Sequence, residues 1–141
     1  MIRTAAKEDL ESVYKLIRQL TKHDFTPEQF KTCYLHNLKN NHILVWEEDG
    51  NVCGCGVLTV HYSLHYSLKS AEIVNLIVDA DYRNLGIGRK LLLALEQIAI
   101  NNKCVGLEVG SGQQREAAHR FYYREGFGCS HYKFTKSLTI Q

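Results

Sequence analysis

Residues 83–92 read Arg-Asn-Leu-Gly-Ile-Gly-Arg-Lys-Leu-Leu. Two glycines stand one residue apart, basic residues flank them, and an apolar helical pattern follows. The run before them, AEIVNLIVD (71–79), is strand-like, so the glycines fall in a loop that leaves a strand and opens a helix. The first amides of a helix have no internal acceptors, and the helix dipole places partial positive charge there. Glycine lets the backbone approach an anion closely and take a positive φ. Phosphate binding is the chemistry this stretch suits. A dinucleotide fingerprint GxGxxG fits poorly, because Leu91 takes the third glycine position. A P-loop fails, because Gly86 and Gly88 stand too close together.

A second unusual stretch is HYSLHYSL (61–68). On a strand His61, Ser63, His65 and Ser67 share one face; in a helix His61 and His65 meet at i and i+4. Periodicity does not choose between them. Two imidazoles can bind an anionic group, relay a proton, or hold a divalent metal with Glu72 as the nearest third ligand. Exposed histidines on a polar face are the plain alternative. The five cysteines, Cys33, Cys53, Cys55, Cys104 and Cys129, form no CxxC pair and offer no four-ligand zinc set. Cys53 and Cys55 alternate with glycines in an apolar strand-like run, which predicts buried free thiols in a reducing, cytoplasmic compartment.

These residues sit in a chain of 141, enough for one domain with a core and short for two. Hydrophobic residues make up 45% and charged residues 23%, a globular balance. A net charge of +2 is too mild to argue for nucleic acid. Lys133 and Lys136 read as a solvated strand face. No apolar run approaches the length of a membrane helix, and the polar start MIRTAAKEDL is no signal peptide.

The elements follow from patterning. Residues 2–5 predict a first strand. Leu10, Val13, Tyr14, Leu16, Ile17 and Leu20 have the spacing of an amphipathic helix. Thr26-Pro27-Glu28-Gln29 is a capping box that opens a second helix through Phe30 and Tyr34 toward Leu38. HILVWEE (42–48) and VCGCGVLTV (52–60) predict a hairpin turned at Asp49-Gly50-Asn51. Residues 71–79, apolar on both faces, predict a central strand. Leu91, Leu92, Leu95, Ile98 and Ala99 mark one face of the helix behind the glycine loop. CVGLEVG (104–110) predicts a strand. Ser111 and Gln114 suggest a further capping box, and its helix ends at Gly126, a natural C′ residue. HYKFTKSL (131–138) predicts a closing strand. The fold class is α+β with an α/β-like second half, in a single domain, 1–141.

The hexapeptide Arg83-Asn84-Leu85-Gly86-Ile87-Gly88 matches [RQ]xxGx[GA], and Ala118-His119-Arg120-Phe121-Tyr122-Tyr123-Arg124-Glu125-Gly126-Phe127 matches an AxxFYxxxGF signature. Together, in this order and on these elements, they resemble the GNAT superfamily of N-acetyltransferases. The resemblance implies a mixed, mostly antiparallel twisted sheet flanked by helices, with a splay between the fourth and fifth strands. It implies that Arg83, Asn84, Leu85, Gly86, Ile87, Gly88 and Arg89 hold the pyrophosphate of acetyl-CoA. The backbone around Leu76, Ile77 and Val78 would pair with the pantetheine arm like an added strand, and an amide there would polarise the thioester carbonyl. Tyr122 would protonate the leaving thiolate, with Tyr123 as its control. A free thiol has a pKa of about 8.5, so this acid helps without being indispensable. Glu72, at the start of the central strand, is the candidate base; an ordinary strand-edge glutamate is the alternative.

Three segments, HYSLHYSL, AEIVNLIV and HRFYYREGFGCSHYKFTKSL, are similar to those of aminoalkylphosphonate N-acetyltransferases. That closer resemblance implies a small primary amine bearing an acidic group as acceptor, with His61 and His65 in its pocket. The chain departs from the pattern at Asn75, where a second acid is expected, and matches only loosely in its N-terminal third. A peptide or protein N-acetyltransferase and a non-catalytic acyl-CoA-binding module are the competing readings. A cysteine-linked acyl intermediate is disfavoured, since neither motif contains a cysteine. A homodimer is a family-level expectation.

Overall fold

Asp49 and Gly50 take φ values of +50° and +81°. This pair of left-handed residues suits a two-residue hairpin turn whose twist matches its strands. The turn joins strand β2 (His42–Glu48) to β3 (Asn51–Ser63). The computed structural model describes residues 1–138 of the chain. A second turn, at residues 64–67, joins β3 to β4 (Leu68–Val78). The short strand β1 (Ile2–Thr4) pairs with β2, and β5 (Leu107–Val109) pairs with β4. The sheet has the order β1-β2-β3-β4-β5; every pairing is antiparallel except the parallel β4–β5.

Three helices accompany this sheet: α1 (Leu10–Leu20), α2 (Pro27–Asn40) and α3 (Ile87–Asn101). The capping box before α2 forms as the sequence predicts. The Thr26 hydroxyl accepts from the Gln29 amide at 3.1 Å, and the Gln29 side chain accepts from the Thr26 amide at 2.8 Å.

The alternation of β3 sorts the helices onto opposite faces. Cys55 and Val57 join Val13 and Leu16 of α1, Tyr34 of α2, Ile43, Val45 and Ile77 in one buried cluster. Gly54 and Gly56 face the other way. A Cβ on Gly54 would stand 3.0 Å from Leu91 Cδ1 of α3, and one on Gly56 would stand 2.7 Å from Leu95 Cδ1. Glycine here seats a helix directly on the strand. Both cysteines are buried free thiols, and burial pushes the Cys55 thiol up to about 12.

An ion network fastens the start of the chain. Arg3 donates to both carboxylate oxygens of Asp9, at 2.8 and 2.9 Å, and to Glu47 at 3.0 Å. Asp9 also accepts from the Ala6 amide, and the Tyr34 hydroxyl donates to the Ala6 carbonyl at 2.6 Å.

The chain divides into two compact units, Met1–Val109 and Gly110–Gln141. The second holds helix α4 (Glu116–Arg124), which ends as predicted at Gly126, with φ of +94°. Two expectations fail in this unit. Ser111 and Gln114 do not cap α4; Gly112–Arg115 form a turn instead, closed by the Arg115 amide on the Gly112 carbonyl at 3.0 Å, so the helix starts at Glu116. Residues 131–138 form no strand among the described residues. Their alternating pattern suits a strand, but strand conformation needs a ladder to satisfy its backbone, and Tyr132 and Phe134 lie exposed. The fifth strand is also shorter than predicted, three residues in place of seven.

Candidate active site

Strand β4 changes partners along its length. Its ladder with β5 covers Ala71–Leu107, Glu72–Glu108 and Ile73–Val109, and stops there, while β4 continues to Val78. At this point the register with β3 slips: Leu58 faces Ile73 but Val57 faces Asn75, which leaves Val74 as an extra residue. A β-bulge bends and twists its strand, and it also reverses which main-chain groups face which neighbour. Before the bulge the Ala71 amide donates to Gly106 beside β5; after it the Asp79 amide donates to Cys53 of β3. Counting back from Asp79 by twos, Ile77 and Asn75 direct their main chains to β3. Leu76 and Val78 direct theirs to the side that β5 has left. The predicted splay is therefore present, and of the three residues expected along it, Leu76 and Val78 offer backbone to the open edge. Ile77 is fixed in the ladder with its side chain in the core. The Val78 carbonyl already accepts from Arg83 Nε at 3.2 Å.

The open edge leads into the glycine loop. Asp79 fixes this junction: its carboxylate accepts from the Asp81 amide at 2.9 Å and from the Gln19 side chain of α1 at 3.2 Å, while Gln19 in turn accepts from the Ala80 amide. Beyond it Asn84 and Gly86 take φ of +64° and +82°. The first bond of α3 runs from the Lys90 amide to the Gly86 carbonyl. The amides of Ile87 and Gly88 therefore stand in the first turn, ahead of the first intrahelical bond, and left-handed residues before such amides gather N–H groups into an anion-binding hollow. Lys90 lies over the ring of Trp46, 5.2 Å from its centroid, which places the chain's single tryptophan beside the loop.

On the α1–α2 side of the sheet the face changes character. Cys53, Cys55, Val57 and Ile77 are core. Farther along, the same face carries Thr59 and His61 on β3, Ser70 and Glu72 on β4, and Glu108 on β5, because cross-strand partners share a face. Glu72 is half-buried and stands in register between Thr59 and Glu108. His61 pairs with Ser70 near the strand end, but His65 lies in the 64–67 turn, edge-on to Tyr66. The histidine stretch is thus neither a continuous strand nor a helix, and both imidazoles are exposed. Among the described residues, no three His, Cys, Asp or Glu side chains gather as a metal site, so His61, His65 and Glu72 are not assembled into one.

In the second unit Tyr122 is half-buried on α4, edge-on to Phe121 and Phe127 at centroid distances of 5.3 and 5.5 Å. Burial raises its pKa above the ordinary tyrosine value, opposed by Arg115. Tyr123 is 59% exposed, so the helix buries the first tyrosine of the pair and leaves the second in solvent.

Residues 10–127 match the acetyltransferase (GNAT) family. The chain belongs to that family. Aminoalkylphosphonate N-acetyltransferase from Salmonella typhimurium strain LT2 is 35% identical over 139 residues, covering 97% of this chain and 90% of the relative. Among solved structures, a transcriptional regulator from Bacillus halodurans C-125 superposes with a TM-score of 0.89 at 24% identity, over 98% of this chain and 99% of its own. Aminoglycoside N-acetyltransferase AAC(6')-Iy, in complex with CoA, superposes with a TM-score of 0.86 at 14% identity, over 99% and 95%. The expected GNAT fold and N-acetyltransferase activity stand on these grounds.

Several features of this acetyltransferase escape a reading of sequence motifs. The bulge at Val74 has no residue signature. The Gln19–Asp79 clamp joins residues sixty positions apart. Asn84 carried a usable signal, since asparagine tolerates the left-handed region better than most residues. Glu108 lies in the predicted fifth strand, but only the parallel register brings it beside Glu72. No described helix is long and apolar enough to cross a membrane.

Proposed function

We propose that this acetyltransferase transfers an acetyl group from acetyl-CoA directly to the primary amine of a small molecule carrying an acidic group, with an aminoalkylphosphonate as the first acceptor to test. The observation that carries the reading is the open β4 edge running straight into a loop with left-handed Asn84 and Gly86 that opens the first turn of α3. The acceptor class is supported by the Salmonella relative. The family match runs across both compact units, which supports a single domain over 1–141.

In this reading, Leu76 and Val78 hold the pantetheine arm by main-chain hydrogen bonds, with Ile77 anchoring the strand between them. One of the free amides orients and polarises the thioester carbonyl. The amides of Ile87, Gly88 and Arg89, in the frame set by Arg83, Asn84, Leu85 and Gly86, hold the pyrophosphate. Glu72 takes a proton from the acceptor ammonium, directly or through water, so that the neutral amine attacks the carbonyl carbon. The carbon–sulfur bond breaks, Tyr122 gives its phenolic proton to the thiolate, and the second proton of the attacking nitrogen returns through water to the phenolate, leaving a neutral amide and the free thiol. His61 and His65 supply the positive or hydrogen-bonding side of the acceptor pocket. The enzyme is cytoplasmic, in keeping with its buried free thiols, and light scattering is expected to show a homodimer.

Thiol release from acetyl-CoA tests the proposal across aminophosphonates, amino acids, polyamines and aminoglycosides, each with and without a divalent metal. Turnover on an aminophosphonate that falls in Tyr122→Phe and collapses in Glu72→Gln is the expected result. Turnover on another amine alone discards the acceptor and keeps the mechanism. No acetyl-CoA binding overturns the reading of the loop.

A further inference from the structure

The geometry points to Glu108 as a second carboxylate of the acceptor site, one that pairs with Glu72 to bind the acceptor's ammonium group. The inference rests on the reading of Glu72's end of the sheet as the place where the amine enters.

Glu72 and Glu108 are direct partners in the parallel ladder, on the same face, one pair before β4 and β5 part. Adjacent strands lie about 4.8 Å apart, so two negative side chains stand within reach of one ammonium. Neither carboxylate has an ion-pair or hydrogen-bond partner among the described residues, whereas the remote acids Asp9 and Glu47 are both taken by Arg3. Like charges set directly opposite each other destabilise a sheet. A cation between them removes that penalty.

Ser70 supplies an independent observation. It precedes Glu72 by two residues on the same face and faces His61 across the ladder. It is only 2% exposed, and its hydroxyl has no hydrogen-bond partner among the described residues. A buried hydroxyl left unpaired is unfavourable, and native folds rarely tolerate one without a role. Ser70 lies in the row of His61, next along β4 to the carboxylate row, where its hydroxyl can bond a polar acceptor molecule lying across both rows. The rows are about 7 Å apart along the strands. A short zwitterion fits this arrangement: its ammonium on Glu72 and Glu108, its acid group kept from the carboxylates and turned toward His61.

Calorimetry tests this on the full chain, with ethanolamine and 2-aminoethylphosphonate as cationic probes and ethylphosphonate as the amine-free control, each with and without CoA. Glu108→Gln is expected to weaken both amines by about 10- to 100-fold, the usual loss of a hydrogen bond to a charged group. Glu108→Asp should recover most of that loss, and ethylphosphonate should bind no more weakly to Glu108→Gln than to wild type. Unchanged amine affinity in Glu108→Gln overturns the assignment. So does an equal loss for amines and control, which would mark a structural role, or a wild-type protein that binds neither amine. Acetyl-CoA binding, followed through Trp46 fluorescence, separates the two readings. If acetyl-CoA fails to bind while the amines bind through Glu108, the proposed function falls and this assignment stands.

Discussion

Gly86→Ala separates the folding role of the glycine loop from its binding role. Gly86 holds φ at +82°, and a Cβ there would meet nothing within 4 Å. In the folded protein the substitution therefore brings no clash, only the left-handed strain of an L-residue, about 1–2 kcal/mol. For a chain of this size that lowers Tm by roughly 3–6 °C. The methyl group would also stand beside the hollow formed by the Ile87 and Gly88 amides. Displacing an anion from even one such amide removes a charge-assisted bond of about 1.5–3 kcal/mol, or roughly 10- to 100-fold in acetyl-CoA affinity.

Gly86→Asn is the control, because asparagine visits the left-handed region at lower cost while adding more bulk. Thermal unfolding should rank Asn above Ala, and calorimetry should show acetyl-CoA affinity lost in both. Quenching or enhancement of Trp46 fluorescence gives a second titration, since Lys90 holds that ring beside the first turn of α3. If Gly86→Ala binds acetyl-CoA as tightly as wild type, the loop is a structural turn and the anion site lies elsewhere. If Tm drops by 10 °C or more, the loop is buried in contacts that the structure does not contain.

Tyr122→Phe should lower kcat by about 100-fold or less, since general acids give at least that much only for poorer leaving groups than a thiolate; Tyr123→Phe should leave it unchanged. Because burial keeps the Tyr122 phenol protonated, the pH–rate profile should show no loss of this acid below about pH 10. Arg3 holds the Asp9 carboxyl below the usual carboxylate range, so the folded state binds fewer protons than the unfolded chain. The resulting stability is complete above the ordinary carboxyl pKa of about 3.9 and fades as pH falls through the lower folded value. Asp9→Asn should cost about 2 kcal/mol at neutral pH and flatten the acid limb of urea-unfolding stability between about pH 5 and 2. Gly56→Ala should destabilise by about 1–3 kcal/mol in urea titrations, since its Cβ would lie 2.7 Å from Leu95 Cδ1 and force α3 outward.

What could be read from sequence was local. The capping box at Thr26, the Asp49-Gly50 turn, the left-handed Gly86 and the alternation of Cys53 and Cys55 with glycines each depend on residues within four positions of one another. Chain geometry alone decides their conformation. The 131–138 segment shows where this stops: the alternating pattern is a strand's, but a strand is a property of two segments, and the pattern cannot say whether a ladder is there. The same holds for the Ser111 capping box, which lost its residues to a turn of comparable local merit. Site residues divide in the same way. The loop was legible because the anion hollow proposed for it resides in backbone conformation that glycine and asparagine encode. Ser70 and Glu108 were not, because a serine or glutamate in a strand has no meaning until register places its neighbours.

Val74 shows how much a single unpaired residue can decide. Without the extra residue, β4 would keep one parity from Lys69 to Val78, and Ile77 rather than Leu76 would turn its main chain toward β5. Ile77 could not serve the open edge on those terms without taking its side chain out of the cluster it shares with Val13, Leu16 and Cys55. The bulge resolves that conflict: side-chain and main-chain parity shift together by one residue, so Ile77 faces the α1 core while Leu76 and Val78 turn their main chains to the open edge. It also falls where the β5 ladder ends, so the strand bends away just where its free amides begin. Core packing and the open edge are thus satisfied by the same strand. Glu72 lies two residues before the bulge and Leu76 two residues after it, so the candidate base and the open edge are held on one element at a separation fixed by a single local distortion.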